Sequence, residues 1–184
     1  NYVALNRSDQ ETTICRILDQ SLAIAAKLGA KTLQLCSFWE GGMHSAEAFA
    51  HTVRHLRYIC HQAEAYDLVI GSENDLDLTG NQKLLDAVSY PNFGIYFDTA
   101  NPWLYTRADA LLMLQTLYPD ICEVHVKDFT LDPEPVCVPL GQGDCRAADA
   151  MAILKHEAYD KWLVLENRLP APQLEQDQIW LRQA

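Results

Sequence analysis

FGIYFDTANPWLYTRADALLMLQTLYPDICEVHVKD, residues 93–128, reads as strand, helix, strand. FGIYFD (93–98) is a short apolar run that suits a strand covered on both faces. Thr106 is placed to cap a helix whose apolar side is Leu111, Leu114 and Leu117. ICEVHVKD (121–128) is the next strand, followed by a long loop bearing Pro and Gly. Two strands joined by a helix predict a parallel pair with a helical crossover. Both strands carry a polar residue near their end, Asp98 and His125.

The same alternation extends in both directions. Toward the N-terminus, YVALN (2–6) reads as a strand. Ser8 and Glu11 form a capping-box pattern ahead of Ile14, Leu18, Leu22, Ala25 and Leu28, and Gly29 suits a left-handed stop. Lys31–Phe38 is a strand, and Ser45 caps a helix with Phe49, Val53, Leu56, Cys60 and Ala63 on its buried side. Leu68–Glu73 is a strand, and Thr79 to Gln82 is a second capping-box pattern ahead of Leu84, Leu85 and Val88. Toward the C-terminus come a helix near Arg146–His156, the strand Trp162–Glu166 and a helix over 173–183. Six strands alternating with helices predict an α/β fold with a parallel sheet. No composition shift marks a second domain, so residues 1–184 are expected to form one.

Composition narrows the function classes. The chain has 184 residues, 49% hydrophobic, with 14 Lys+Arg against 25 Asp+Glu and a net charge of -11. That excludes disorder and a disulfide miniprotein, and no apolar run reaches the ~20 residues of a membrane span. The acidity opposes nucleic acid as a partner, since a polyphosphate binder needs a basic face. The cluster His51, Arg54, His55 and Arg57 is expected on a solvated helix face. His51 and His55 stand four apart, as metal ligands can, but lack an adjacent Glu base and a third ligand. None of the six cysteines forms a C-x-x-C pair, so most are expected to be buried reduced thiols, as in the cytoplasm.

The strand ends carry the chemistry. No G-x-G-x-x-G follows a strand, and Gly141-Gln142-Gly143 reads as a tight turn rather than a phosphate cradle. What the strands present is Glu73, Asp98, His125 and Glu166. Singly, each has an ordinary explanation: a loop carboxylate, a helix cap, a core histidine. In a barrel, though, the four would converge at the C-terminal face, where active sites lie. Three carboxylates and an imidazole would need a divalent cation, Mn²⁺ or Mg²⁺ first, with Co²⁺ or Zn²⁺ also fitting. His44, in the loop after Lys31–Phe38, is a candidate substrate contact.

These motifs resemble the xylose isomerase-like TIM-barrel superfamily, in its sugar phosphate isomerase/epimerase branch. The resemblance rests on LGAKTLQL (28–35), the SEN ending at Asn74, FGIYFDTAN (93–101), EVHVKD (123–128), PLGQGD (139–144) and LVLEN (163–167), in the family's order. It implies that Glu73, Asp98, His125 and Glu166 are metal ligands and that Glu73 and Glu166 double as the acid/base pair. Many members carry His where this chain has Asn101, which can offer only hydrogen bonds. Lys127, two residues from His125, would bind a substrate anion or pair with Glu123.

The implied reaction is metal-dependent proton transfer next to a carbonyl, through an enediolate, on a small ketose, aldose or inosose-type substrate. Return of the proton at the adjacent carbon is isomerisation, and return to the opposite face is epimerisation. Loss of water from the same intermediate would make the chain an inosose-type dehydratase. A non-catalytic barrel is the alternative outside enzymes, and the net charge opposes an apurinic-site endonuclease. The expected partner is a small carbohydrate, with no nucleic acid and no membrane; self-association into a homo-oligomer stays open. The strand-end residues recur about every 31 positions, so eight units need ~250 residues. The expectation is therefore a TIM barrel of about six βα units, its C-terminal three-quarters, with the first two units missing.

Overall fold

Helix α1 (Glu11–Leu28) forms because Ile14, Leu18, Leu22 and Ala25 recur at helical spacing, and all four are buried. The structure is a computed structural model and describes residues 4–184. It divides into two compact units, Asn1–Tyr96 and Phe97–Ala184. In the first, α1 is followed by β1 (Thr32–Ser37), α2 (Ala46–Ala63), β2 (Val69–Asn74), α3 (Leu78–Val88) and β3 (Phe93–Asp98), whose last two residues pass into the second unit. The second unit continues with α4 (Ala110–Leu117), β4 (Ile121–Val126), β5 (Asp128–Thr130), β6 (Val136–Val138), α5 (Ala147–His156), β7 (Leu163–Leu165) and α6 (Ala171–Gln183).

Five strands among the described residues form one sheet in the order β1-β2-β3-β4-β7. β1 pairs parallel with β2, placing Cys36 opposite Glu73, and β2 pairs parallel with β3, placing Ser72 opposite Ile95. β4 pairs parallel with β7, placing His125 opposite Val164. All of β3 is buried, as its unbroken apolar run requires of a sheet covered on both faces. The core of the first unit gathers Ile14, Leu18, Leu22, Leu56, Ile59, Ile70 and Leu84. In the second, Leu114, Leu117, Ile121, Val124 and Val126 are buried.

Several local expectations are corrected. Of the strand expected over 2–6, residues 2 and 3 lie outside the described residues, residue 4 is irregular and 5–6 form a turn. Leu5 is buried there, and the Asn6 amide donates to the Glu40 and Gly42 carbonyls at 2.8 and 3.0 Å, bonding a loop instead of a ladder. Ser8 and Glu11 make no capping box. Ser8–Gln10 coil into a 3₁₀ turn, Asp9 is held by Arg7 at 2.7 Å, and α1 starts without a side-chain cap. Gly29 does stop α1, at φ +68°.

Ser45 caps α2 as expected, accepting from the Ala48 N–H at 3.0 Å. The caps of α3 and α4 fall on aspartates instead of Thr79 and Thr106. Asp77 accepts from the Gly80 N–H at 2.7 Å, and Asp109 from Leu111 and Leu112 at 3.0 and 3.2 Å. Asp is the stronger N-cap, and Thr106 is spent closing a π turn with the Pro102 carbonyl.

His55 is not on a solvated face. It is 1% exposed and its Nδ1–H donates to the Leu5 carbonyl at 2.7 Å, while Arg54 and Arg57 are exposed. Its neighbours on the buried face are Thr52, Leu56 and Ile59, so the helical period carries it inward. Among the cysteines, all free, Cys60, Cys122 and Cys145 are buried, Cys15 and Cys137 are half-buried, and Cys36 is exposed. Among the described residues, no helix is long and apolar enough to cross a membrane.

Candidate metal and proton-transfer site

In the first unit, Glu73 is the penultimate residue of β2 and is buried. Its Oε2 accepts from Gln34 Nε2 at 2.6 Å and from the Cys36 thiol at 3.5 Å. Gln34 and Cys36 stand two apart on β1 and share a face, so the strand period brings both to the carboxylate. His44 Nε2 lies 3.4 Å from Asp75, whose carboxyl is pushed up by burial against the opposing pull of His44.

In the second unit, three of the expected residues meet. Asp98 ends β3, His125 is penultimate in β4, and Glu166 follows directly on β7. One donor atom from each lies within 4.8 Å of the others. Asp98 Oδ1 accepts the N–H groups of Ala100 and Asn101 at 2.8 and 2.9 Å, so the turn after β3 fixes that carboxylate. Asn101 is buried beside it. Thr99 laces the ends of β3 and β4 together, donating to the Lys127 carbonyl at 2.9 Å and accepting its N–H at 3.1 Å.

Lys127 is the positive charge of this group. Its Nζ lies 2.9 Å from Asp98 Oδ2 and 2.6 Å from Glu166 Oε2, and it does not pair with Glu123 among the described residues. Burial disfavours the ammonium, but Asp98 first and Glu166 second outweigh it and hold Lys127 above the ordinary lysine value. His125 Nδ1 stands 3.7 Å from Glu166 and 3.9 Å from Asp98, beyond direct hydrogen bonds. Among the described residues, one ammonium lies against both carboxylates, and an imidazole nitrogen faces both. Oxygen and imidazole donors with net negative charge fit a divalent cation, Mn²⁺ and Mg²⁺ best where oxygen predominates.

The loop after β6 belongs to a different buried carboxylate. Asp128 accepts the N–H groups of Phe129, Gly141 and Gly143 at 3.0 Å each and of Cys145 at 3.2 Å. Burial raises its carboxyl, and those N–H groups pull the other way. The N–H groups of Gly141 and Gly143 are therefore already bonded, and the segment is a turn, as its sequence indicates. Asp128, Asn167, Asp177, Gln34 and Cys36 are absent from the sequence expectations. Only the adjacency of Asp128 to Lys127 and of Asn167 to Glu166 could have pointed to two of them.

A parallel α/β sheet with polar groups at its strand ends is what a TIM barrel presents at its C-terminal face. The chain belongs to the xylose isomerase-like TIM-barrel family, whose model matches residues 1–184. It is 30% identical to the 2-epi-5-epi-valiolone 7-phosphate 2-epimerase of Actinoplanes sp., over 96% of this chain and 67% of that protein. Among solved structures, it resembles a xylose isomerase domain protein from Planctomyces limnophilus, with a TM-score of 0.85 at 19% identity over 98% of this chain and 67% of that one. It also resembles the probable 3-DHS dehydratase AsbF of Bacillus anthracis, with a TM-score of 0.75 at 18% identity over 95% of this chain and 70% of that one. The chain thus spans about two thirds of the length of these three relatives.

Proposed function

We propose that this chain is a divalent-metal-dependent epimerase or isomerase of a small ketose, aldose or inosose-type carbohydrate, acting from a single barrel domain over residues 1–184. The ligands in this reading are Glu73, Asp98, His125 and Glu166, with Mn²⁺ or Mg²⁺ preferred over Co²⁺ or Zn²⁺. The observation that carries it is the close set of Asp98, His125 and Glu166, carboxylates and imidazole at strand ends with a single ammonium between them. The epimerase relative from Actinoplanes supports the reaction class, and its name supports a phosphorylated substrate.

The bound cation would supply Lewis acidity toward a carbonyl oxygen. Glu166 accepts the proton from the neighbouring carbon, and Glu73 returns one. Lys127 holds the Glu166 carboxylate in place and offers its remaining N–H groups to a substrate oxygen or phosphate. Asn101, in the turn fixed by Asp98, and His44, after β1, are the other proposed substrate contacts. The free cysteines accord with a reducing compartment, and we place the protein in the cytoplasm.

The test is deuterium exchange from solvent into a panel of ketoses, inososes and their phosphates, with Mn²⁺ present. Glu166→Gln and Glu73→Gln are expected to slow exchange by about 10²–10⁴-fold. Exchange at the wild-type rate in Glu166→Gln would refute the proton-transfer role.

A further inference from the structure

Glu166 stands one residue beyond β7, a strand of three residues, and its N–H bonds the Val126 carbonyl at 3.0 Å. The next residue secures the chain there. Asn167 is buried; its Oδ1 accepts the Asp128 N–H at 3.0 Å, and its Nδ2 donates to the Val138 carbonyl at 3.1 Å and to Asp177 Oδ2 at 2.6 Å. Asp177 in turn accepts the Leu140 N–H through Oδ1 at 2.9 Å. Among the described residues, Asp177 is the one buried residue of α6. A surface helix ordinarily docks through an apolar stripe, yet α6 buries a carboxylate, which costs free energy unless its bonds are well made. The Leu140 N–H accounts for one oxygen of Asp177, as docking of α6 would require; the other oxygen is held by the amide beside Glu166.

We infer that Asp177, acting through Asn167, is a positioning residue for Glu166. The helix fixes the amide and the amide fixes the end of β7. The Glu166 carboxylate is thereby kept against Lys127 at 2.6 Å, ready for a cation. This rests on the reading of Glu166 as a metal ligand and goes beyond it by assigning a role to a residue ten positions away on another element.

The test is Mn²⁺ affinity of the purified chain, by calorimetry and by the spin resonance of free Mn²⁺, with folding checked by circular dichroism. Asp177→Asn preserves shape but sets one amide donor against another, and is expected to weaken Mn²⁺ binding by about ten- to a hundredfold. Adding Asn167→Asp exchanges donor and acceptor across the pair but takes the donor from the Val138 carbonyl, and is expected to recover only part of that loss. Leu181→Ala is the control: it loosens α6 one turn beyond Asp177, where Leu181 lines a cavity with Met151, Leu154 and Leu163, and leaves the groups of the Asp177–Asn167 bond unchanged. It is expected to lower the melting temperature with Mn²⁺ affinity unchanged. Wild-type affinity in Asp177→Asn, or an equal loss in Leu181→Ala, overturns the inference while the metal reading stands. Absence of Mn²⁺ binding by the wild type overturns both.

Discussion

Replacing Lys127 with Met keeps the length of the side chain and deletes the ammonium. At an effective dielectric near 20, a unit pair at these separations, 2.9 Å to Asp98 and 2.6 Å to Glu166, has a gross attraction of about 6 kcal/mol. Desolvation cancels much of it, and water screens Glu166, whose side chain is 37% exposed. Removing one partner of a buried pair costs about 3–5 kcal/mol, and that exposure puts this site near 3. The loss should shrink when a divalent cation takes over the charge the lysine supplied. Hundredfold excess over its Kd stabilises a folded protein by about 2.7 kcal/mol. The variant should gain more than the wild type, since its ligands face one fewer positive charge. Urea unfolding followed by tryptophan fluorescence, in EDTA and in Mn²⁺, measures both gaps. A gap of the same size in the two conditions would refute the claim that Asp98 and Glu166 hold a cation, and Lys127 would be a structural ion pair only.

Three further outcomes follow from packing and burial. A Cβ at Gly143 would meet the Asp128 carboxylate and lie 2.6 Å from the Phe129 carbonyl, so Gly143→Ala should cost about 1–3 kcal/mol in a thermal melt. A wild-type melting temperature would show that the Asp128 turn gives way freely. Burial pushes Cys60, Cys122 and Cys145 from an ordinary value of 9.0 up to about 12. Their folded values lie above their unfolded ones, so their contribution is complete below pH 9 and is lost as pH rises toward 12. Urea midpoints should therefore fall from pH 9 to 11, and at pH 8 a thiol reagent should label exposed Cys36 well before these three. Equal labelling of all six in the native state would contradict that burial.

The alternation of strand and helix was legible because periods of two and 3.6 survive without tertiary knowledge, and β3 and the ends of α5 were placed within a residue. Caps were less legible. Ser8, Thr79 and Thr106 fit the local pattern, but Asp77 and Asp109 compete for the same N–H groups and win. The polarity of His55 points to solvent, but its place on the helical stripe of Leu56 and Ile59 carries it inward. At the site, Asp98, His125 and Glu166 were visible as polar breaks in apolar strands. Gln34 and Asp177 were not, since a glutamine in a strand and an aspartate in a polar helix look ordinary until β1 and α6 are placed.

The ends of β4 and β7 carry two rungs one above the other, Lys127 with Glu166 and Asp128 with Asn167. In the proposed reading the transferable unit is therefore a pair of dipeptides, KD and EN, with Lys127 and Glu166 in the metal site and Asp128 and Asn167 tied to the scaffold. A protein engineer moving this site onto another barrel would have to carry both words intact. The glycine turn that cradles Asp128 and a helix presenting an acid to the amide would have to travel with them. Copying the proposed site residues alone would leave Glu166 just past a three-residue strand without the amide and turn that anchor it.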